Sequence, residues 1–128
     1  MPDAQAGWVP ELLCDAATLV ERGDALLFEV LEHGQRTPAF ALRVDGQVHA
    51  YLNRCAHVPV EMDWQPGRFW DADRAYLICA VHGALYQPAT GQCVSGPCPG
   101  KRLQALDVRE HEGRVYWYPS QRFQPVPA

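Results

Sequence analysis

The sequence predicts an all-β chain folded as an antiparallel β-sandwich or small barrel, and three features point to it. Apolar residues alternate with polar or small ones over short stretches, Gly-containing turns separate those stretches, and only one window carries a helical signal. That window is Ala16 to Arg22, with Asp15 placed to cap its start and Gly23 its end. Next comes an apolar run from Ala25 to Glu32, suited to a buried strand. Phe40, Leu42 and Val44 alternate with Ala41 and Arg43, Asp45-Gly46 follows, and Val48, Ala50 and Leu52 alternate with Gln47, His49 and Tyr51; this is a two-residue hairpin with favoured turn chemistry. Tyr76-Leu77-Ile78 is a further short strand, and Val115 to Tyr118, facing Leu106 to Val108 across Gly113, predicts a closing hairpin. No internal repeat or low-complexity tract is present.

Size and charge narrow the function classes. The 128 residues suit one domain with a modest core. A formal net charge of −4, with no run of Lys and Arg, argues against nucleic acid or a membrane surface as partner. The N-terminal Met1 to Trp8 carries no basic flank or apolar export segment, and no stretch approaches the apolar length of a membrane span, so the expected location is cytoplasmic. Five cysteines in such a chain point to metal use of some of them rather than to a disulfide framework.

Chemistry is concentrated in two short stretches. Cys55-Ala56-His57 follows the strand ending at Leu52, and Cys79-Ala80-Val81-His82 follows the one ending at Ile78, so two strand-end loops each offer one soft thiolate beside one imidazole. Taken singly, such a cysteine is usually a small buried hydrophobe and such a histidine a solvated side chain; four together, with Gly83 after the second pair and Gly96-Pro97 downstream, read as a ligand set. Zinc accepts the same donors, but structural zinc sites favour Cys-x₂₋₄-Cys and His-x₃₋₅-His spacing.

The order Cys-x-His, Cys-x-x-His-Gly, Gly-Pro resembles the Rieske iron-sulfur proteins, over about residues 25–118 and most densely between 53 and 100. The resemblance implies a Rieske-like all-β base from residues 1–52 and 99–128, with a cluster-binding subdomain, residues 53–98, inserted in it. It implies one 2Fe-2S cluster per chain held by Cys55, His57, Cys79 and His82, a mixed ligation that raises the potential above that of all-cysteine clusters. The implied role is a ferredoxin-type, one-electron carrier between a reductase and a terminal oxygenase or other oxidoreductase. A redox-sensing module using the same cluster, or a zinc-stabilised binding domain, are the alternatives. The chain carries no Gly-rich nucleotide loop and no second iron-binding triad, so electron transfer rather than catalysis of its own is expected.

Departures from the family pattern sharpen the expectation. Where respiratory members carry a disulfide joining the two ligand loops and a serine beside the second histidine, this chain has Val60, Val81 and Ala84, which implies a low-potential type. Tyr86 stands at the family's tyrosine position and is a candidate donor to a cysteine sulfur; Gly83 and the Pro97 loop are expected to bring backbone N–H groups to the sulfurs. Val58, Pro59, Val60, Val81 and Ala84 are expected to form an apolar tip around exposed His57 and His82. Between His57 and Cys79 lie 21 residues, longer than usual, and the aromatic stretch Trp64 to Trp70 within them is expected to pack as a flap over the cluster subdomain, with a docking surface as the alternative. Cys93 and Cys98 flank the Gly-Pro loop closely enough to bridge, but the cytoplasmic address favours thiols; Cys14 is expected in the core, and His33, His49 and His111 outside the site.

Overall fold

The computed structural model describes residues 8–56, 58, 60–98 and 100–127, and the expected ligand His57 and the expected tip residue Pro59 lie outside them. Among the described residues eleven strands run in order: β1 (Glu11–Asp15), β2 (Leu26–Glu32), β3 (Gln35–Val44), β4 (Gln47–Leu52), β5 (Leu77–Ile78), β6 (Leu85–Tyr86), β7 (Cys93–Ser95), β8 (Ala105–Leu106), β9 (Val108–His111), β10 (Arg114–Trp117) and β11 (Phe123–Pro125). They form a five-stranded sheet in the order β11-β2-β3-β4-β8 and two three-stranded sheets, β1-β10-β9 and β5-β6-β7, with all strand pairs antiparallel.

The β3–β4 hairpin forms in the expected register, with Val44 opposite Gln47 and Ala39 opposite Leu52. Asp45 and Gly46 both take positive φ (52° and 81°), the mirror-image turn whose twist matches that of the flanking strands. Two further hairpins use the same device, at His33-Gly34 between β2 and β3 and at Glu112-Gly113 between β9 and β10. The carboxylate of Glu21 accepts from the backbone N–H groups of Asp45 and Gly46, clamping the central turn.

Alternation along β3 decides where the interior lies. Phe40, Leu42 and Val44 point into one cluster together with Tyr51, Met62, Phe69, Leu77, Cys79, Tyr86 and Leu103. Ala39 and Ala41 point to the opposite face, against Val115, Trp117, Leu106, Val30 and Phe123. The central hairpin is thus a wall buried on both sides, bulky where it faces the loops carrying Cys55 and Cys79 and small where the β1-β10-β9 sheet packs close.

Three local expectations are corrected. Only Ala16–Thr18 is helical, as a single 3-10 turn without a side-chain cap from Asp15. The window is too short to sustain a helix and contains β-branched Thr18 and Val20, so tertiary contacts win. Arg43 takes the carbonyls of Leu19 (2.7 Å) and Ala16 (3.0 Å), and the Arg22 N–H donates to the Arg43 carbonyl (2.9 Å), pulling the segment onto β3. The run before His33 is half-buried rather than buried: Phe28 and Val30 face inward while Leu27 and Glu29 face out. Leu106 is not part of the closing hairpin; it pairs with Ala50 of β4, and β10 pairs with β9. Cys14 is half-buried against the second core.

The long segment between the ligand pairs is folded back on the body. Phe69 stacks on Phe40 with ring centroids 3.8 Å apart, the Trp70 indole N–H donates to the Gly23 carbonyl (2.8 Å), and the Phe69 carbonyl accepts from the Ile78 N–H (2.7 Å). Two of its three aromatics pack, but the contacts they make are with Phe40 of β3 and Gly23 rather than over the cluster subdomain. Trp64 does not pack: it is 78% exposed.

Candidate metal centre

The two loops opened by Cys55 and Cys79 are closed in the same way. The Cys55 N–H donates to the Val60 carbonyl and the Cys79 N–H to the Ala84 carbonyl, each at 2.9 Å, so each cysteine opens a tight six-residue return. An Ala80 N–H to Met62 carbonyl bond (2.9 Å) ties the second loop to the segment leaving the first. The result brings the Sγ atoms of Cys55 and Cys79 and an imidazole nitrogen of His82 all within 4.8 Å of one another. Among the described residues no other group of three such side chains converges in this way. His33, His49 and His111 remain outside it; His49 lies on β4 opposite Leu42, and His111 sits 3.7 Å from Glu112.

Burial is asymmetric. Both sulfurs are enclosed, Cys55 at 3% exposure and Cys79 at 0%, whereas His82 is exposed. Burial pushes the Cys79 thiol up from its ordinary range, opposed by the backbone N–H groups of His82 and Val81, which favour a negative sulfur. Those two N–H groups supply the role expected of Gly83. The N–H of Gly83 instead donates to the Cys79 carbonyl (2.7 Å), and a side chain at Gly83 would meet open space.

On the first loop the group facing the sulfur is Tyr86. Its hydroxyl lies 3.2 Å from Cys55 Sγ and accepts from the Ala56 N–H at 3.0 Å. Burial, reinforced by the contact with Cys55, pushes the phenol above its ordinary range, so it stays protonated and able to donate.

Two features of the surroundings were not anticipated. Asn53, 4% exposed, accepts the Met62 N–H on Oδ1 (2.8 Å) and donates through Nδ2 to Asp63 (2.7 Å), pinning the stem of the first loop to its exit. Its position two residues before Cys55 is the one sequence signal that could have marked it. Cys93 and Cys98, expected as thiols, form a disulfide with Cα atoms 6.0 Å apart, because the turn through Gly96-Pro97 brings β7 and the following segment together within bridging range. The expected apolar tip is also narrower. Val60 and Val81 are 37% and 44% exposed, but Ala84 is fully buried beneath Gly96, whose missing Cβ would lie 2.9 Å from the Ala84 Cα.

A pair of buried thiols and an imidazole at the joint of two loops, carried on an antiparallel β frame, is a donor set that could hold a metal through mixed sulfur and nitrogen ligands. Residues 10–119 match the model of the Rieske [2Fe-2S] domain, and the chain belongs to that family, whose cofactor is a two-iron, two-sulfur cluster. No curated protein is significantly similar to the chain. Among solved structures, the fold is similar to the ferredoxin of carbazole 1,9a-dioxygenase from Nocardioides aromaticivorans IC177, at 20% identity and a TM-score of 0.66, covering 92% of this chain and 99% of that one. A complex of reduced oxygenase and oxidised ferredoxin of carbazole 1,9a-dioxygenase matches at 23% identity and a TM-score of 0.62, over 87% and 92% of the two chains. A reduced complex between oxygenase and ferredoxin of the same system matches at 20% identity and a TM-score of 0.65, over 96% of this chain and 30% of that one. No helix among the described residues is long and apolar enough to cross a membrane.

Proposed function

We propose that this chain is a ferredoxin-type, one-electron carrier whose 2Fe-2S cluster is held by Cys55, His57, Cys79 and His82, with residues 53–98 as the cluster-binding subdomain. The observation that carries the reading is the convergence of three of those side chains within 4.8 Å, with soft buried sulfurs on one side and an exposed imidazole on the other. Such donors fit the group: thiolates suit iron-sulfur sites, and neutral imidazole replaces thiolate in the mixed type. A bound cluster supplies a site that gains and loses single electrons. The chain's own part is to enclose the sulfurs, direct the N–H groups of Val81 and His82 and the Tyr86 hydroxyl at them, and leave His82 at the surface as the short route to a partner.

The partners in this reading are a reductase and a terminal oxygenase or related oxidoreductase in the cytoplasm, as the likeness to ferredoxins of an oxygenase system suggests. The exposed Val60 and Val81 offer small apolar contacts, suited to brief encounters rather than a permanent complex. With Val60, Val81 and Ala84 in place of a disulfide between the loops and a hydroxyl, the potential belongs toward the lower end of the window of roughly −150 to +300 mV. Electron transfer from a ferredoxin reductase to the purified protein, followed by stopped-flow absorbance, tests the role. Val81→Lys should slow reduction at least several-fold and leave the oxidised spectrum unchanged; an unchanged rate would remove this tip as the docking point.

A further inference from the structure

The Cys93–Cys98 bridge does not join the two loops to each other, yet its short loop backs both cysteines, Cys55 only through Tyr86. Cys98 is fully buried with its Sγ 3.5 Å from the Tyr86 hydroxyl, and that hydroxyl lies 3.2 Å from Cys55 Sγ. Inside the same bridge, Gly96 takes φ +101° and lies over Ala84, whose carbonyl accepts the Cys79 N–H. One short loop therefore backs Cys55 through Tyr86 and Cys79 through Ala84.

The proton inventory at Tyr86 gives the bridge its significance. The hydroxyl oxygen already accepts from the Ala56 N–H, and its single proton can go to one sulfur only. Half of a disulfide carries no S–H, so Cys98 cannot donate to Tyr86, and it is a weak acceptor farther away than Cys55. Bridged, Cys98 sits against the Tyr86 hydroxyl and leaves its proton to Cys55. As a free thiol it would be an additional donor and a mobile neighbour, competing for the same oxygen.

We propose that Cys93 and Cys98 are positioning residues whose disulfide holds the Tyr86 hydroxyl on Cys55 and thereby raises the reduction potential of the centre. This rests on the reading of Cys55 as a cluster ligand. A hydrogen bond to a ligating sulfur stabilises the added negative charge of the reduced state, so weakening it lowers the potential. The bridge thus replaces, from the far side of Tyr86, part of the restraint that the valines at positions 60 and 81 cannot provide by bridging the two loops directly.

The test compares C93S/C98S, Y86F and the triple variant as holoproteins, by protein-film voltammetry and by resonance Raman of the Fe–S stretches, which report hydrogen bonding to the sulfurs. The expected result is a fall in midpoint potential in C93S/C98S of more than half that in Y86F, a matching shift in the Fe–S bands, and no further fall in the triple variant. Should C93S/C98S not retain the cluster, C93A breaks the same bond with Cys98 still against Tyr86 and is expected to reproduce the fall. An unchanged potential in a cluster-loaded variant lacking the bridge, or falls that simply add in the triple variant, would overturn the proposal. Absence of a cluster from the wild-type protein would instead refute the reading it rests on.

Discussion

The loops opened by Cys55 and Cys79 share one closure and differ in what holds them. The loop opened by Cys55 is secured by side chains: Asn53 at its stem and exit, the Arg54–Glu32 ion pair at 3.0 Å, and the Tyr86 hydroxyl. The loop opened by Cys79 is secured by main chain, through the Ala80, Gly83 and Ile78 N–H bonds and the close approach of Gly96 to Ala84. A loop held by side chains is vulnerable to many single substitutions, each of moderate cost. One held by backbone is indifferent to most and sensitive where a new side chain would push the backbone apart.

The largest effect is therefore expected at Gly96. Gly96→Val forces a branched residue into a positive φ and drives its Cβ into the Ala84 backbone, which together should cost about 3 kcal/mol or more and lower Tm by roughly 10 °C. Calorimetry on the variant checks this, and a Tm within a degree or two of wild type would mean that the second loop is not held from above. Asn53→Leu comes next. It strands the buried Met62 N–H and takes a donor from Asp63, with an expected loss of about 2 kcal/mol in urea unfolding. Equal stability in Asn53→Leu would show that the first loop does not depend on that side chain.

The smallest effect is the pH dependence of the Glu32 anchor. The hydrogen bond from Arg54 holds the Glu32 carboxyl below its usual range against the opposing effect of burial. A lowered value stabilises the fold above the ordinary carboxylate pKa and ceases to do so as pH falls through the native value. The stability difference between wild type and Glu32→Gln should then be about 1 kcal/mol near neutral pH and close to zero in acid. A difference that grew as the pH was lowered would reverse the assignment.

How much of this could be read in advance follows from the range over which each feature is encoded. The β3–β4 hairpin is local: alternation and Asp45-Gly46 specify strands, turn and register within a few residues. The Cys and His pairs are also local, each a strand end followed by a compact return, which is why Cys55, Cys79 and His82 meet where the sequence implied. The segment Ala16 to Arg22 misled because its helical signal is weak and Arg43, distant in sequence, captures its carbonyls. Asn53 and the Cys93–Cys98 bridge escaped for the same reason. Their meaning depends on Met62, Asp63 and Tyr86 being brought alongside by the fold, and the redox address inferred for the chain pointed the cysteines the other way.

Metal and sulfide analysis tests the central claim most directly. Protein purified aerobically, alongside H57A, H82A, H33A, H49A and H111A variants, should contain two irons and two acid-labile sulfides per chain in the wild type and in the last three variants, and lose the reddish-brown cluster in the first two. One zinc per chain with no sulfide in the wild type, or loss of the cluster on replacing His33, His49 or His111, would contradict it.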